Sequence, residues 1–286
     1  MKDHLSRVLM GVPPQSRRNV MREYLQSRVL LAMQERGAWS SLAFLGGTAL
    51  RFLYLIPRFS EDLDFSLEGN RDSFNFNELL AGVSRRLEGE AYRVELKASE
   101  KATVNKAFIR FQGIEYDLGL SPHRDQVFTV KVEVDTNPPA GAVLQMTTIQ
   151  RYAVLRLAHH DEASLLAGKV SAVLLREWLK GRDVYDLVWY LSNPRWPEPN
   201  EALLAGALTQ AGREDLIPGQ RWKAALIERV SAADWAPVPP DVERFLERPG
   251  DRWMLERDTV VSVLQRRGWS DRQASSDGRP LPHAPA

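Results

Sequence analysis

Two short stretches carry residue types that could do chemistry together. The first is Gly46-Gly47-Thr48, which follows the apolar run Leu42-Ala43-Phe44-Leu45. Paired glycines allow a sharp turn and a close approach of backbone N–H groups to a ligand. Thr48 then opens a helix whose N-terminus attracts anions, so Gly46, Gly47 and Thr48 form a candidate phosphate cradle. The second stretch is Asp62-Leu63-Asp64. Strand side chains alternate between faces, which puts both carboxylates on one side. Two convergent carboxylates suit a hard divalent cation, Mg²⁺ or Mn²⁺, with phosphate oxygens completing its shell. Each stretch alone has an ordinary explanation, a tight turn and a solvated strand face. In the order strand, Gly-Gly turn, helix, Asp-x-Asp strand, they point to chemistry on a phosphorylated substrate.

Further residues could join them. In Val130-Lys131-Val132-Glu133-Val134-Asp135 the polar side chains share one face, so Glu133 is the first candidate for a third metal ligand and Asp135 the second. An exposed alternating face explains the same pattern. Arg58 could pair bidentately with phosphate oxygens, or simply be a solvated loop arginine. Ser60 shares the Asp62 face if the strand already runs there, and otherwise caps the turn after Pro57. Lys169 lies among Ala167, Val170, Ala172 and Val173, an odd setting for a surface lysine, although a snorkelling side chain would fit it. Arg182, Asp183 and Asp186 open a helix. The acids complement its dipole, and Arg182 and Asp186 have the spacing of an ordinary i, i+4 pair. Tyr185 and Trp189, one turn apart, could stack on a base or pack between helices.

Leu45-Gly46-Gly47 followed by Asp62-Leu63-Asp64-Phe65, with fourteen residues between Gly47 and Asp62, resembles the signature of the polymerase-β-type nucleotidyltransferases. The fuller string Gly46-Gly47-Thr48-Ala49-Leu50 through Arg58-Phe59-Ser60-Glu61-Asp62-Leu63-Asp64-Phe65 resembles more narrowly the AbiEii/AbiGii toxin family, which includes the MenT-type toxins. That family adds a helical lysine motif and an Arg-x-x-x-Asp motif, matched here by Lys169 and by Arg182 through Asp186. The resemblance implies an α+β fold, a polymerase-β-like mixed-sheet domain followed by an all-helical domain. It implies metal-dependent transfer of an NMP from an NTP with release of pyrophosphate. Ser60 would lie at the active site, Lys169 on the triphosphate, and Arg182, Asp183 and Asp186 in the site, with Asp186 the position carried over. The protein would be the toxin of a bacterial toxin–antitoxin or phage-defence system. It would modify the tRNA 3′ end, block translation and answer to a cognate antitoxin encoded next to it. Two other readings stand beside this one: NMP transfer to a protein hydroxyl, and a catalytically silent nucleotide-binding module.

The elements that must position these residues follow from periodicity. Residues 16–36 read as an amphipathic helix, 42–45 as a strand, 48–55 as a short helix stopped by Pro57, and 61–67 as a strand. A helix is expected over 73–90 and strands over 92–98, 104–111 and 127–135, with a shorter one near 114–118. The strand pattern fades after about residue 152. Helices then follow at 161–179, 182–192, 200–211, 221–230, 240–248 and 254–267. The expected division is a nucleotidyltransferase domain over 1–150, a helical domain over 151–269, and a tail over 270–286 with the composition of disorder.

Composition narrows the alternatives. Lys and Arg total 38 against 37 Asp and Glu, a formal charge of +1, so bulk charge cannot hold a nucleic acid. An RNA partner would need a local patch. Arg17, Arg18, Arg22 and Arg28 form one candidate; Arg244, Arg248 and Arg252, extended by Arg257, Arg266 and Arg267, form another. There are no cysteines, which excludes thiolate metal sites and Cys nucleophiles. The five histidines lack zinc-ligand spacing. No apolar run approaches a membrane span, no signal peptide is visible, and a cytoplasmic location is expected.

Overall fold

A computed structural model describes residues 2–69, 74–100 and 103–266. Arg267 and the segment 270–286 lie outside the described residues. Helices α1 (Lys2–Met10) and α2 (Pro14–Glu35) lead into β1 (Leu42–Leu45), α3 (Gly46–Tyr54), β2 (Asp62–Leu67) and α4 (Phe76–Gly89). Then come β3 (Val94–Ser99), β4 (Val104–Gln112), α5 (Ile114–Asp117), β5 (Val127–Asp135), β6 (Leu144–Arg151) and β7 (Ala153–His160). The rest is helical: α6 (Glu162–Leu175), α7 (Gly181–Leu191), α8 (Glu201–Gln210), α9 (Trp222–Ala232), α10 (Val238–Glu243) and α11 (Arg257–Leu264).

The seven strands form one mixed sheet in the order β3-β4-β5-β2-β1-β7-β6. The β2–β5 and β1–β7 pairs are parallel and the others antiparallel. The fold class is therefore α+β, as the resemblance implies. Alternation along the central strands decides what each face does. Leu63, Phe65 and Leu67 of β2, with Phe128, Val130, Val132 and Val134 of β5, are buried in the core. Phe65 stacks on Phe44 with centroids 5.3 Å apart. Burying each such side chain contributes about 1.5–3 kcal/mol. Asp62, Asp64 and Ser66, with Lys131, Glu133 and Asp135, are left on the opposite face, which α6, α7 and α8 roof over to form a cleft.

Four departures from the periodicity reading have physical reasons. Residues 114–118 contain a helical turn rather than a strand, because Gly113 takes a left-handed conformation (φ 66°) and its carbonyl accepts the Asp117 amide. The strand pattern does not end near 152. The β6–β7 hairpin continues the sheet to His160, so the boundary placed at residue 150 falls inside it. Its outer strand exposes Leu144 and Met146 beside Gln and Thr, which blurs the period-two signal. The mixed-charge N-terminus forms helix α1, whose Leu5 and Leu9 are buried one turn apart among polar residues that hide the period. Residues 240–248 are not one helix. Helix α10 ends at Glu243, and Leu246 instead bridges Arg58, so Arg244 and Arg248 share no helical face.

Candidate active site

The cleft has a volume of about 520 Å³ and is lined by Gly46, Gly47, Arg58, Ser60, Asp62, Asp64, Lys131, Glu133, Lys169, Arg182 and Asp183 among others. Most of the residues singled out by spacing are thus brought to one place. The two glycines do specific work. Gly46 adopts φ 78°, and a Cβ there would stand 2.5 Å from Asp64 Oδ2. A Cβ on Gly47 would stand 2.5 Å from Arg58 Nη2 and 3.0 Å from Ser60 Oγ. Only a chain without side chains at this corner lets the carboxylate, guanidinium and hydroxyl close around it. Helix α3 begins here, so its free first-turn N–H groups open beside Asp64. Thr48 does not line the cleft. It is fully buried, and its hydroxyl donates to the Asp62 carbonyl, which ties α3 to the start of β2.

Strand register sets the carboxylates. Asp64 faces Leu45 across the antiparallel β1–β2 pair and Glu133 across the parallel β2–β5 pair, where Lys131 faces Asp62. Burial, followed by the neighbouring Asp62 charge, pushes the Asp64 carboxyl up to about 7. Asp62 is also raised, first by burial, against the pull of Lys131. Glu133 is different. Burial opposes its charge, yet Lys131 at 2.7 Å and Lys106 at 3.3 Å hold it below the usual carboxylate range. Among the described residues no three His, Cys, Asp or Glu side chains form a group fit to hold a metal ion. Asp62 and Asp64 remain as a strained, like-charged pair that a divalent cation would relieve. Glu133 is already neutralised by Lys131, which the alternation of β5 puts on its face, and by Lys106 of β4, which spacing within β5 cannot show.

Behind the cleft lies a chain of ion pairs. Arg58 donates from Nε and Nη2 to the two Asp186 oxygens at 2.6 and 2.5 Å. Lys169 Nζ lies 2.8 Å from Asp186 and 3.0 Å from Asp183, and Arg176 reaches Asp183 at 3.0 Å. Arg58 is 1% exposed and Asp186 0%. Two expectations change accordingly. The Arg58 fork is taken by Asp186 and does not offer itself bidentately to phosphate. Asp186 lies beneath the cleft rather than on its surface, and it makes no i, i+4 pair with Arg182. Burial disfavours the Lys169 charge, but Asp186 and Asp183 outweigh it and hold the ammonium charged. It is a packed, paired cation at the cleft wall and not a snorkelling one.

Ser60 is held from two sides. Gln26 of α2 donates to the Ser60 and Glu61 carbonyls at 3.1 and 2.9 Å. The Phe59 amide donates to the Phe245 carbonyl at 2.7 Å. Neither Gln26 nor Phe245 is visible as a site residue in the sequence, because the Gln26 amide meets only backbone carbonyls and Phe245 offers only its own carbonyl. Arg182 lines the cleft but donates to Glu61 at 3.2 Å. Tyr185 is fully buried, and Trp189 packs on Trp196 with centroids 4.8 Å apart, so neither offers a ring to the cleft. Arg28 pairs with Glu90 in the interior and leaves the basic surface.

A glycine corner at a helix start, two aspartates on the facing strand and a paired lysine at the cleft wall define a site of nucleotidyltransferase type. The family model described as nucleotidyl transferase AbiEii toxin, type IV toxin–antitoxin system, matches residues 28–257, and the chain belongs to that family. It is a nucleotidyltransferase toxin of a type IV system, and membership implies a cognate antitoxin and an NTP substrate. Among solved structures, MenT4, a nucleotidyltransferase toxin from Mycobacterium tuberculosis, shares the fold. Its TM-score is 0.56 at 17% identity, over 95% of this chain and 94% of that one. A putative nucleotidyltransferase from H. pylori is more distant, with a TM-score of 0.46 at 16% identity, over 86% of this chain and 96% of that one. No curated protein matches by sequence. No described helix is long and apolar enough to cross a membrane.

Proposed function

We propose that the protein transfers an NMP unit from an NTP to a hydroxyl of an RNA acceptor, the tRNA 3′ end, and so blocks translation in the cytoplasm. The acceptor oxygen bonds to the α-phosphorus, the bond to the β-phosphate oxygen breaks, and pyrophosphate leaves while the hydroxyl proton goes to solvent. The observation that carries this reading is the Asp62–Asp64 pair facing the Gly46-Gly47 corner, with Lys169 at the same wall. Asp62 and Asp64 would hold Mg²⁺ or Mn²⁺, and phosphate oxygens would complete the shell, since among the described residues no third carboxylate or histidine groups with the pair. When bound, the cation neutralises phosphate charge and acidifies the acceptor hydroxyl. The chain's own residues orient the reaction. The α3 N-terminus and Ser60 bind phosphate oxygens at the corner, Lys169 supplies a fixed positive charge, and Asp183 and Asp186 keep that charge in place. The tRNA acceptor rests on the family resemblance.

Incubation of the purified protein with each α-labelled NTP, Mg²⁺ and either total tRNA or total protein tests this directly. Label in tRNA, lost in Asp62→Ala, is the expected result. Label in protein alone overturns the acceptor, and no label with any NTP leaves a silent nucleotide-binding module.

A further inference from the structure

Next to the aspartates stands a cluster that the transfer chemistry does not use. Glu61, which immediately precedes Asp62, is approached by three guanidiniums from three separate elements. Arg182 at the start of α7 lies at 3.2 Å, Arg22 of α2 at 3.5 Å, and Arg244 after α10 at 3.6 Å. These contacts are loose beside the tight two-pronged Arg58–Asp186 pair. Arg22 is the least satisfied. Its Nε is buried without a hydrogen-bond partner, and its Nη1 has only Asn19 Oδ1 at 3.3 Å. Arg182 also has Asp241 at 3.7 Å, and Arg18 beside the cluster pairs with Glu115. The guanidiniums rest on aromatic faces that fix them. Arg22 lies 5.1 Å from the Phe128 centroid, while Arg182 and Arg244 lie 5.1 and 4.7 Å from that of Phe245. The two oxygens of Glu61 are shared by three arginines, of which only Arg182 has a second carboxylate among the described residues, and the unpartnered Arg22 Nε and the open Arg244 fork match the oxygens of a phosphate.

We propose that Arg22, Arg182 and Arg244 bind a backbone phosphate of the RNA acceptor strand and deliver its terminal hydroxyl to Asp62. This rests on the RNA acceptor of the proposed function. A phosphodiester is favoured over the nucleotide's own phosphates by position. The corner of Gly46, Gly47 and Lys169 is on the Asp64 side, whereas Arg22 and Arg244 lie outside the cleft lining and meet Arg182, which does line it, at the Glu61 end of the strand. Arg244 is 67% exposed and Arg18 59%, so the patch continues outward, where a strand has further phosphates and a nucleotide has none. Of the two arginine groups that spacing offered as rivals, Arg22 from the first and Arg244 from the second meet at Glu61.

The test measures binding of a labelled single-stranded RNA oligonucleotide and of total tRNA across a KCl series. It uses the full-length protein and its Arg22→Gln, Arg244→Gln and double variants, with Arg213→Gln as a distant control. Each replaced arginine should lower the salt slope by about 0.7 for single-stranded RNA. The control should match wild type, and affinity for a fluorescent NTP should be unchanged. Arg244 is exposed, so its variant tests the patch even if Arg22→Gln melts early. An unchanged slope in Arg244→Gln overturns the proposal, as does wild-type protein that binds no RNA. A loss of NTP affinity without an RNA effect would make this a triphosphate site and also overturns it. Arginine-dependent RNA binding without NMP incorporation would instead refute the transfer reading and leave the patch standing.

Discussion

Asp62 stands at the first position of β2, partly exposed, with Lys131 Nζ 3.8 Å away. Its replacement leaves no buried partner behind and relieves its repulsion with Asp64, so Asp62→Ala should melt no lower than wild type. Transfer should fall at least about a hundredfold, the scale expected when preorganised charge stabilisation is removed at a reacting centre. Retained activity in that variant would remove the metal assignment. Asp64 makes a prediction of a different kind. Its carboxyl is raised to about 7 from the ordinary 3.8, so the folded protein keeps a proton that the unfolded chain has lost between those values. Unfolding then releases a proton, and stability falls as pH rises from about 4 to about 7. Melting without divalent cation should show this decline, and Asp64→Asn should flatten it. Added Mg²⁺ should raise the melting temperature more at about pH 8 than at about pH 5, because only the ionised pair binds it. A pH-independent melting difference between wild type and Asp64→Asn would contradict the assignment.

At the scale of elements, the Arg58–Asp186–Lys169–Asp183–Arg176 chain joins the loop before β2 to α6 and α7. Removing one partner strands a buried charge, so Asp186→Ala should cost about 3–5 kcal/mol. A melting temperature lower by on the order of 10 °C should follow. An inactive Asp186→Ala that melts like wild type would show that Asp186 acts on the reactants instead. Gly46→Ala should displace Asp64 by placing a methyl on its oxygen in a left-handed backbone. Transfer should fall while β-sheet circular dichroism remains. What the sequence made legible was local: the glycine corner, the Asp-x-Asp strand and the alternation of β5 all announce themselves within a few residues. Arg58 and Asp186 are 128 positions apart, and no periodicity couples them. The same holds for Gln26, which reaches the site through carbonyls that any residue possesses. The β6–β7 hairpin was missed because its outer strand mixes exposed apolar and polar side chains.

Across the whole molecule, the sheet supplies the carboxylates and the helices supply the lysine and its counter-charges, so the cleft needs both. The clasp between residues 57–59 and 245–247 extends this dependence. Arg58 bridges Leu246, the Glu247 amide donates to the Pro57 carbonyl at 3.2 Å, and Glu247 pairs with Arg51. Phe245 is 2% exposed and carries Arg182 and Arg244 on its ring. Phe245→Ala should therefore cost about 3–5 kcal/mol, read as a lower denaturant midpoint. It should also weaken RNA binding while sparing NTP affinity, and a variant that loses NTP affinity alone would place the ring on the wrong side of the cleft.

The clasp also imposes an order in time. A chain made from its N-terminus carries Asp62 and Asp64 early, but the segment that grips Phe59 from the far side arrives only with residue 245. Until then the loop bearing Ser60 has one of its two supports, and before residue 186 Arg58 has no carboxylate to meet. The Ser60 loop and the Arg58 side chain therefore take their final places only when residues 186 and 245 have joined the fold, however early the two aspartates are made.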